Sequence, residues 1–130
     1  GDMIDLHVHT SHSDGAFNTI EILKMAEEKQ ITAISICDHN VLEAYYDLRK
    51  IDVKQYFSGK IIPGIEMDFV YKGKIFHMLG YNFDVDKLQK SKLIDRRTPQ
   101  ELISEQKKNL EYLKFLFVPQ DQGQRLAHHI

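Results

Sequence analysis

Three short apolar segments of this chain each end in histidine, aspartate or glutamate, and this arrangement constrains the fold more than any other feature. The segments are Met3–His9, Ile31–Cys37 and Lys60–Phe69, and the polar residues that close them are His7, His9, Asp38, His39 and Glu66. Alternating or β-branched residues predict strands for all three. With helices predicted between them, the order of elements indicates an α/β fold with a partly parallel sheet. Functional groups of such folds gather at the carboxyl ends of the strands.

The first segment alternates as a strand with two different faces does. Ile4, Leu6 and Val8 share one face, and Asp5, His7 and His9 share the other. We therefore predict one apolar side and one polar side that carries functional groups. Two histidines on the same face of a strand can bind one ion, because residues two apart point the same way.

Capping signals predict two helices in the first half of the chain. Asn18 is the predicted cap of a helix that ends at about Lys29, and Glu21 completes a capping box. A shorter helix is predicted over Val41–Lys50. Both helices connect predicted strands, as the α/β arrangement requires.

A hairpin and a long helix are predicted in the second half. The strand Lys74–Tyr81 follows the third apolar segment after a tight turn that contains Gly73. Thr98 caps the long helix, which begins at Pro99 and ends at about Phe117, ahead of Pro119.

Composition sets the broad class of the protein. The 130 residues suit one domain, which we divide into a body, residues 1–86, and a C-terminal segment, residues 87–130. The body holds 8 basic and 14 acidic residues, and the segment holds 9 and 5. We expect no nucleic acid partner, because the basic residues are interspersed with glutamates. The single cysteine, Cys37, predicts a reducing, cytoplasmic compartment, and no apolar run reaches the ~18 residues of a membrane span.

Several candidate ligands each have a second interpretation that the residues alone leave open. Glu66 lies in an apolar stretch and needs a partner, which is either a pair of cations or a lysine. Asp14 either holds an ion or forms an Asx turn. Asp38 and His39 fit a ligand with its orienting acceptor or the start of a polar loop. His77, in an apolar strand, by itself fits a core histidine.

Taken together, these segments resemble the PHP family, named for polymerase and histidinol phosphatase. The matching segments are Asp5–Thr10, Ser13–Gly15, Asp38–Asn40, Gly64–Glu66 and His77–Tyr81. The resemblance implies a partial or distorted (β/α)7 barrel with two or three divalent ions, zinc, manganese or iron, at the mouth formed by its strand ends. It implies metal binding by six residues, with Glu66 as a bridge: His7, His9, Asp14, His39, Glu66 and His77.

The resemblance also implies a phosphoesterase that acts on a small phosphomonoester or nucleotide. Paired cations clamp a phosphate and lower the pKa of a bound water, so the expected nucleophile is a metal-bound hydroxide. His12 or Asp38 is expected to carry a proton or to orient a ligand. The first alternative is a non-catalytic metal-binding or regulatory module, and the second is a metal-dependent nuclease.

The chain departs from the family after Tyr81. No Asp-x-His follows it, and only Ala127-His128-His129 is similar to the family's later Ala-His-Pro segment. We therefore expect weak or no turnover from this chain alone. We also expect a homo-oligomer, because a partial barrel leaves an open sheet edge. The sequence leaves open whether His128 or His129 supplies a late ligand there or is an ordinary residue of the tail.

Overall fold

The computed structural model describes residues 3–91, 94 and 116–120. Six strands, three α-helices and one 3-10 helix (Val53–Gln55) occur within these residues. The strands are β1 (Met3–Val8), β2 (Ile31–Ile36), β3 (Lys60–Ile61), β4 (Gly64–Tyr71), β5 (Lys74–Tyr81) and β6 (Leu116–Gln120). The helices are α1 (Thr19–Glu28), α2 (Glu43–Leu48) and α3 (Val85–Lys90).

A parallel sheet forms the first half of the molecule, in the order β1-β2-β3. Helix α1 connects β1 to β2, and its predicted capping box is confirmed. The Asn18 side chain accepts from Glu21 N at 2.9 Å, and the Glu21 carboxylate accepts from Asn18 N at 3.1 Å. The helix packs on the sheet through one buried cluster: Val8, Ile22, Leu23, Ala26, Ile31, Ile34 and Phe57.

An antiparallel sheet, β4-β5-β6, forms the second half. The prediction of one strand over Lys60–Phe69 is wrong, because the chain leaves the first sheet between Ile61 and Gly64. Pro63 has no N–H to give to a ladder, so it marks a natural break. Glu66 is consequently the third residue of β4 and does not end a third parallel strand. The isolated bridge from His39 to Glu66 connects the two sheets.

The predicted helix over Pro99–Phe117 is wrong at its C-terminal end. Leu116 and Phe117 belong to β6, where they pair with Tyr81 and Gly80. Pro119 lies within β6, on the edge of the sheet, where a missing N–H is tolerated. Residues 98–115 of that prediction lie outside the described residues.

The second predicted helix is shorter than expected. It extends over Glu43–Leu48 and not over Val41–Lys50. Leu42, at the N-cap position, is fully buried and makes no side-chain hydrogen bond that would cap a longer helix. This helix packs with β4 and α3 in a second buried cluster: Ile36, Leu42, Ala44, Tyr45, Ile65, Met67, Phe83 and Leu88.

The two faces of β1 alternate as predicted, and buried residues occur on both, with Val8 on the apolar face and Asp5 and His7 on the polar face. Asp5 and His7 are almost fully buried, whereas Ile4 is 50% exposed at the edge of the sheet. The polar face is covered by the β4–β5 hairpin, whose Tyr81 hydroxyl donates to Leu6 O at 2.7 Å. In the described part of the chain, no helix is long and apolar enough to span a membrane.

Candidate metal centre

Glu66 lies at the centre of the candidate site, where its carboxylate contacts four histidines. Its Oε1 is 2.6 Å from His7 Nε2 and 3.5 Å from His9 Nε2. Its Oε2 is 3.1 Å from His39 Nδ1 and 3.2 Å from His77 Nδ1. The two oxygens of one buried carboxylate therefore face two different pairs of imidazoles, one at each side.

Asp68 completes the side of the site that the hairpin forms. It lies two residues after Glu66 on β4 and pairs with His77 of β5. Its carboxylate contacts His39 Nδ1 and lies 2.5 Å from His77 Nδ1. The sequence reasoning missed this residue, although a carboxylate two positions from Glu66 on one strand faces the same way.

Asp14 approaches from the loop after β1. Its carboxylate is 3.4 Å from His9 Nδ1 and 3.1 Å from His39 Nε2. The rings of His9 and His39 stack with centroids 4.6 Å apart. Asp14 was predicted either to hold an ion or to form an Asx turn. In the structure its carboxylate lies against two of the candidate histidine ligands.

The two stacked imidazoles have opposite pKa shifts. Burial lowers the pKa of His9 below its usual value, and the neighbouring His39 and His7 lower it further against the pull of Asp14. The hydrogen bond with Asp68 raises the pKa of His39 to about 9. Burial opposes the charged form of Asp68, but its hydrogen bonds with His39 and His77 outweigh that effect and lower its pKa.

Asn40 aligns β4 with the end of β2. Its backbone has φ 57°, a left-handed conformation that asparagine tolerates better than most residues. In this position its N–H donates to Glu66 O at 2.9 Å, and its side-chain oxygen accepts from Asp68 N at 3.0 Å. Asn40 thereby fixes the backbone of both carboxylate residues beside His39.

Asp38, one of the two predicted catalytic residues, holds the loop after β1. It is almost fully buried and accepts hydrogen bonds from Thr10 N (2.7 Å), Thr10 Oγ1 (2.6 Å) and Ser13 Oγ (2.7 Å). Gly15 closes the same loop, since an added Cβ would lie 2.2 Å from His9 O. The structure thus gives Asp38 an orienting position under the loop that carries Asp14.

His12, the other predicted catalytic residue, points to helix α2. Its Nε2 lies 2.6 Å from Asp47 Oδ2, which also accepts from Thr19 Oγ1 at 2.8 Å. His12 belongs to none of the described groups of potential ligands. The structure therefore brings together the six predicted ligands and leaves His12 outside them.

The donor set fits a divalent ion. Within the described residues, three groups have donor atoms all within 4.8 Å of one another: His39, Glu66, Asp68 and His77; His7, His9 and Glu66; and His9, Asp14 and His39. Imidazole nitrogen with carboxylate oxygen suits zinc, manganese and iron. Cys37 lies beneath the site, but burial raises the pKa of its thiol to about 12, so it stays protonated.

The fold and these donors together define an α/β protein with a candidate metal centre at its strand ends. The sequence profile of the PHP domain matches residues 5–118. The chain therefore belongs to the PHP domain family.

Three relatives show which proteins carry similar sequences. A 5'-3' exoribonuclease of Haemophilus influenzae is 31% identical over 80 residues, 62% of this chain and 28% of the relative. The 5'-3' exoribonuclease Rnm of Escherichia coli is 30% identical over 81 residues, with the same coverage of 62% and 28%. A PolC-type DNA polymerase III of Ureaplasma parvum is 36% identical over 67 residues, 50% of this chain and 4% of the polymerase. The chain thus spans little more than a quarter of the exoribonucleases that it matches.

Two solved structures share the fold. A proposed metal-dependent phosphoesterase from Bifidobacterium adolescentis has a TM-score of 0.58 at 18% identity, over 85% of this chain and 35% of that protein. An amidohydrolase from Chromobacterium violaceum, with bound sulfate and no metal, has a TM-score of 0.58 at 20% identity, over 83% and 34%. The α/β fold of this chain is therefore similar to the folds of both structures, and the described strands form two sheets and no closed barrel.

Proposed function

We propose that this chain carries the metal centre of a phosphoesterase that acts on a small phosphomonoester or nucleotide. The observation that carries the proposal is the Glu66 carboxylate, whose oxygens each face two imidazoles at 2.6–3.5 Å. Two or three ions of zinc, manganese or iron are the cofactors that this arrangement supports. Membership of the PHP family, whose relatives here include nucleases, agrees with a hydrolase.

The candidate ligands fall into groups that would each hold a different ion. His7, His9 and Glu66 would hold one ion, Asp14 and His39 a second, and His77 with Asp68 a third. When bound, such ions neutralise the charge of a phosphate and acidify water, which supplies a nucleophile without a serine or cysteine. Burial of Glu66 and His7 excludes water from the floor of the site and keeps their donor atoms in place.

Metal content tests the proposal directly. Chain purified without chelator should contain a divalent transition metal by elemental analysis, and the His7→Ala/His9→Ala variant should lose most of it. Arg49→Ala is the control, because Arg49 pairs with Asp86 and belongs to none of the ligand groups. Equal metal in wild type and double variant would refute the proposal.

An activity assay then tests the reaction. A chromogenic phosphate ester with added Mn²⁺ should give slow hydrolysis that Glu66→Gln abolishes. We expect slow hydrolysis because the segment after Tyr81 lacks the family's later Asp-x-His. Hydrolysis that Glu66→Gln leaves unchanged would place the activity outside this site.

A nuclease is the second candidate, and the hairpin turn supports it together with the exoribonuclease relatives. Lys72, Lys74 and Ile75 are exposed there, on the same hairpin that carries Asp68 and His77. Ile75 is on the same face as His77, about 7 Å nearer the turn at ~3.4 Å per residue. Cations and an exposed apolar side chain beside a phosphate-binding site suit the backbone and bases of a single strand.

Binding of a fluorescent single-stranded RNA distinguishes the two candidates. A nuclease should bind it in a salt-dependent manner, and Lys72→Ala/Lys74→Ala should weaken binding and flatten the salt dependence. Lys24→Ala/Lys29→Ala removes equal charge from α1 and its C-cap, and should change neither RNA binding nor its salt dependence. RNA binding that responds equally to both double variants would leave the small-substrate phosphoesterase as the sole candidate.

A further inference from the structure

Helix α2 holds the loop that carries Asp14 from the outside. Asp47, on the fifth residue of this helix, accepts from His12 and from Thr19 with the same Oδ2, at 2.6 and 2.8 Å. Since a carboxylate only accepts hydrogen bonds, His12 Nε2 is the donor. The contact joins residues 35 positions apart in sequence. It therefore ties the loop after β1 and the start of α1 to one point on α2.

The buried carboxylate of Asp38 is a second anchor of this loop. It accepts hydrogen bonds from Thr10 and Ser13 on the inner side of the loop. Asp14 itself is the most exposed of the candidate ligands, with 65% of its side chain accessible. A ligand that is so exposed depends on its loop for a fixed position, because most of its side chain is surrounded by solvent and not by packed neighbours that would lock its rotamer.

We propose that Asp47 is a positioning residue of the metal centre, which through His12 keeps Asp14 within reach of His9 and His39. The proposal rests on the proposed function, since it presumes that Asp14 holds an ion. Asp47 would then act on the outermost ion and leave the ion at His7 and Glu66 unaffected. This explains the placement of His12, which the sequence suggests as a catalytic group and the structure turns away from the ligands.

Other residues of α2 hold different parts of the molecule, which provides matched controls. The Tyr45 hydroxyl donates to Ile36 O at 2.6 Å and accepts from Gly64 N at 2.8 Å. Arg49 pairs with Asp86 of α3 at 2.9 Å. Arg49→Ala therefore removes an ion pair from the same helix without touching the loop.

The test is a titration of the metal-free chain with Mn²⁺, followed by the electron paramagnetic resonance signal of the free ion. Asp47→Ala and His12→Ala should each weaken the weakest class of bound Mn²⁺ by about tenfold, the lower end of the effect of removing an orienting partner. Asp47→Asn keeps an acceptor oxygen and should stay near the wild type. Arg49→Ala should not change binding.

A double-mutant cycle separates positioning from a general loss of structure. If Asp47 acts through Asp14, its substitution should have no further effect in an Asp14→Ala background. An equal loss in both backgrounds would overturn the inference, as would unchanged Mn²⁺ binding in Asp47→Ala. A wild-type chain that binds no Mn²⁺ would overturn the proposed function, and the inference with it, whereas the two former results leave the proposed function standing.

Discussion

The candidate metal centre has an inner half on strands and an outer half on a loop and a strand end. The inner pair, His7 and Glu66, has side chains only 3% and 6% exposed. The outer pair, Asp14 and His39, has side chains 65% and 25% exposed. The inner donors are fixed by sheet register and packing, and the outer donors by a few hydrogen bonds at the surface.

This difference indicates how the two halves tolerate change. A buried carboxylate that loses its partners carries a desolvation penalty, so the inner half depends on all its members. An exposed aspartate is solvated with or without a partner, so its loss affects only the ion that it binds. The predictions below test that division.

The largest effect is expected from the shared carboxylate. Glu66→Gln should weaken metal binding on the order of 100-fold or more, because Glu66 belongs to two of the three ligand groups. This loss exceeds the roughly 10- to 100-fold that is typical when a residue that only orients a ligand is removed. Asp14→Asn should weaken only the weakest ion, by about tenfold. Calorimetric titration with Mn²⁺ measures both, and equal losses would show that the halves are not distinct.

A substitution at Gly64, the first residue of the strand that carries Glu66, should have the next largest effect on stability and metal binding. A Cβ on Gly64 would lie 2.0 Å from Ser35 Oγ and 2.6 Å from Cys37 Sγ, so either β4 or these two buried side chains must move. Gly64→Ala should lower the free energy of unfolding by about 1–3 kcal/mol, as overpacking does, and should weaken metal binding. Gly73→Ala, at φ 73° with open space around it, should cost about 1 kcal/mol from backbone strain alone.

Urea unfolding of the metal-free chain measures both glycine variants. Ser35→Ala added to Gly64→Ala should restore part of the lost stability, because it removes the nearest clashing atom. No recovery in that double variant would mean that the backbone, and not this contact, requires glycine at position 64.

Asn40 joins the two halves, and its loss should have an intermediate effect. Asn40→Ala should lower the free energy of unfolding by about 1–2 kcal/mol, from one hydrogen bond to Asp68 N and a less tolerant left-handed backbone. Asn82→Ala shares the backbone conformation, with φ 61°. The Asn40 variant should therefore cost more than the Asn82 variant in urea unfolding, and equal values would rule out a role for the side-chain bond.

The smallest effect concerns protonation in the metal-free chain. Histidine resonances in an NMR titration should show His39 titrating near 9 and His9 below 6.5. Because the folded pKa of His39 exceeds the unfolded value, its stabilising contribution is complete below pH 6.5 and declines as the pH rises to about 9. The Asp68→Asn variant should bring the pKa of His39 back towards 6.5.

The structure brings the predicted ligands together, although the predicted sheet was wrong in part. His7 and His39 lie near the carboxyl ends of parallel strands, as predicted, but Glu66 reaches them from inside β4, through the bridge that pairs it with His39. Asp68 was accessible to the same reasoning through its spacing from Glu66. It was missed because Glu66 was taken as the end of a strand that in fact begins two residues earlier.

Features that depend on distant contacts escaped the sequence. The chain changes from the parallel to the antiparallel sheet at Pro63, where Gly64 N donates a hydrogen bond to the Tyr45 hydroxyl. No local sequence pattern predicts this contact. Leu116 and Phe117 suit a helix by spacing, but pairing with β5 overrides local preference. The role of Asp47 likewise requires knowing that α2 lies against the loop.

The buried contacts around the inner half join segments that lie far apart in the sequence. His7 meets Glu66 across 59 positions, and the Tyr81 hydroxyl meets Leu6 O across 75. Closing such long loops has an entropic cost that must be met before the contacts form. The strand–helix–strand unit at the N-terminus can form first, whereas the inner pair exists only after the hairpin has closed over it. An ion that binds there selects the finished fold and stabilises it by mass action.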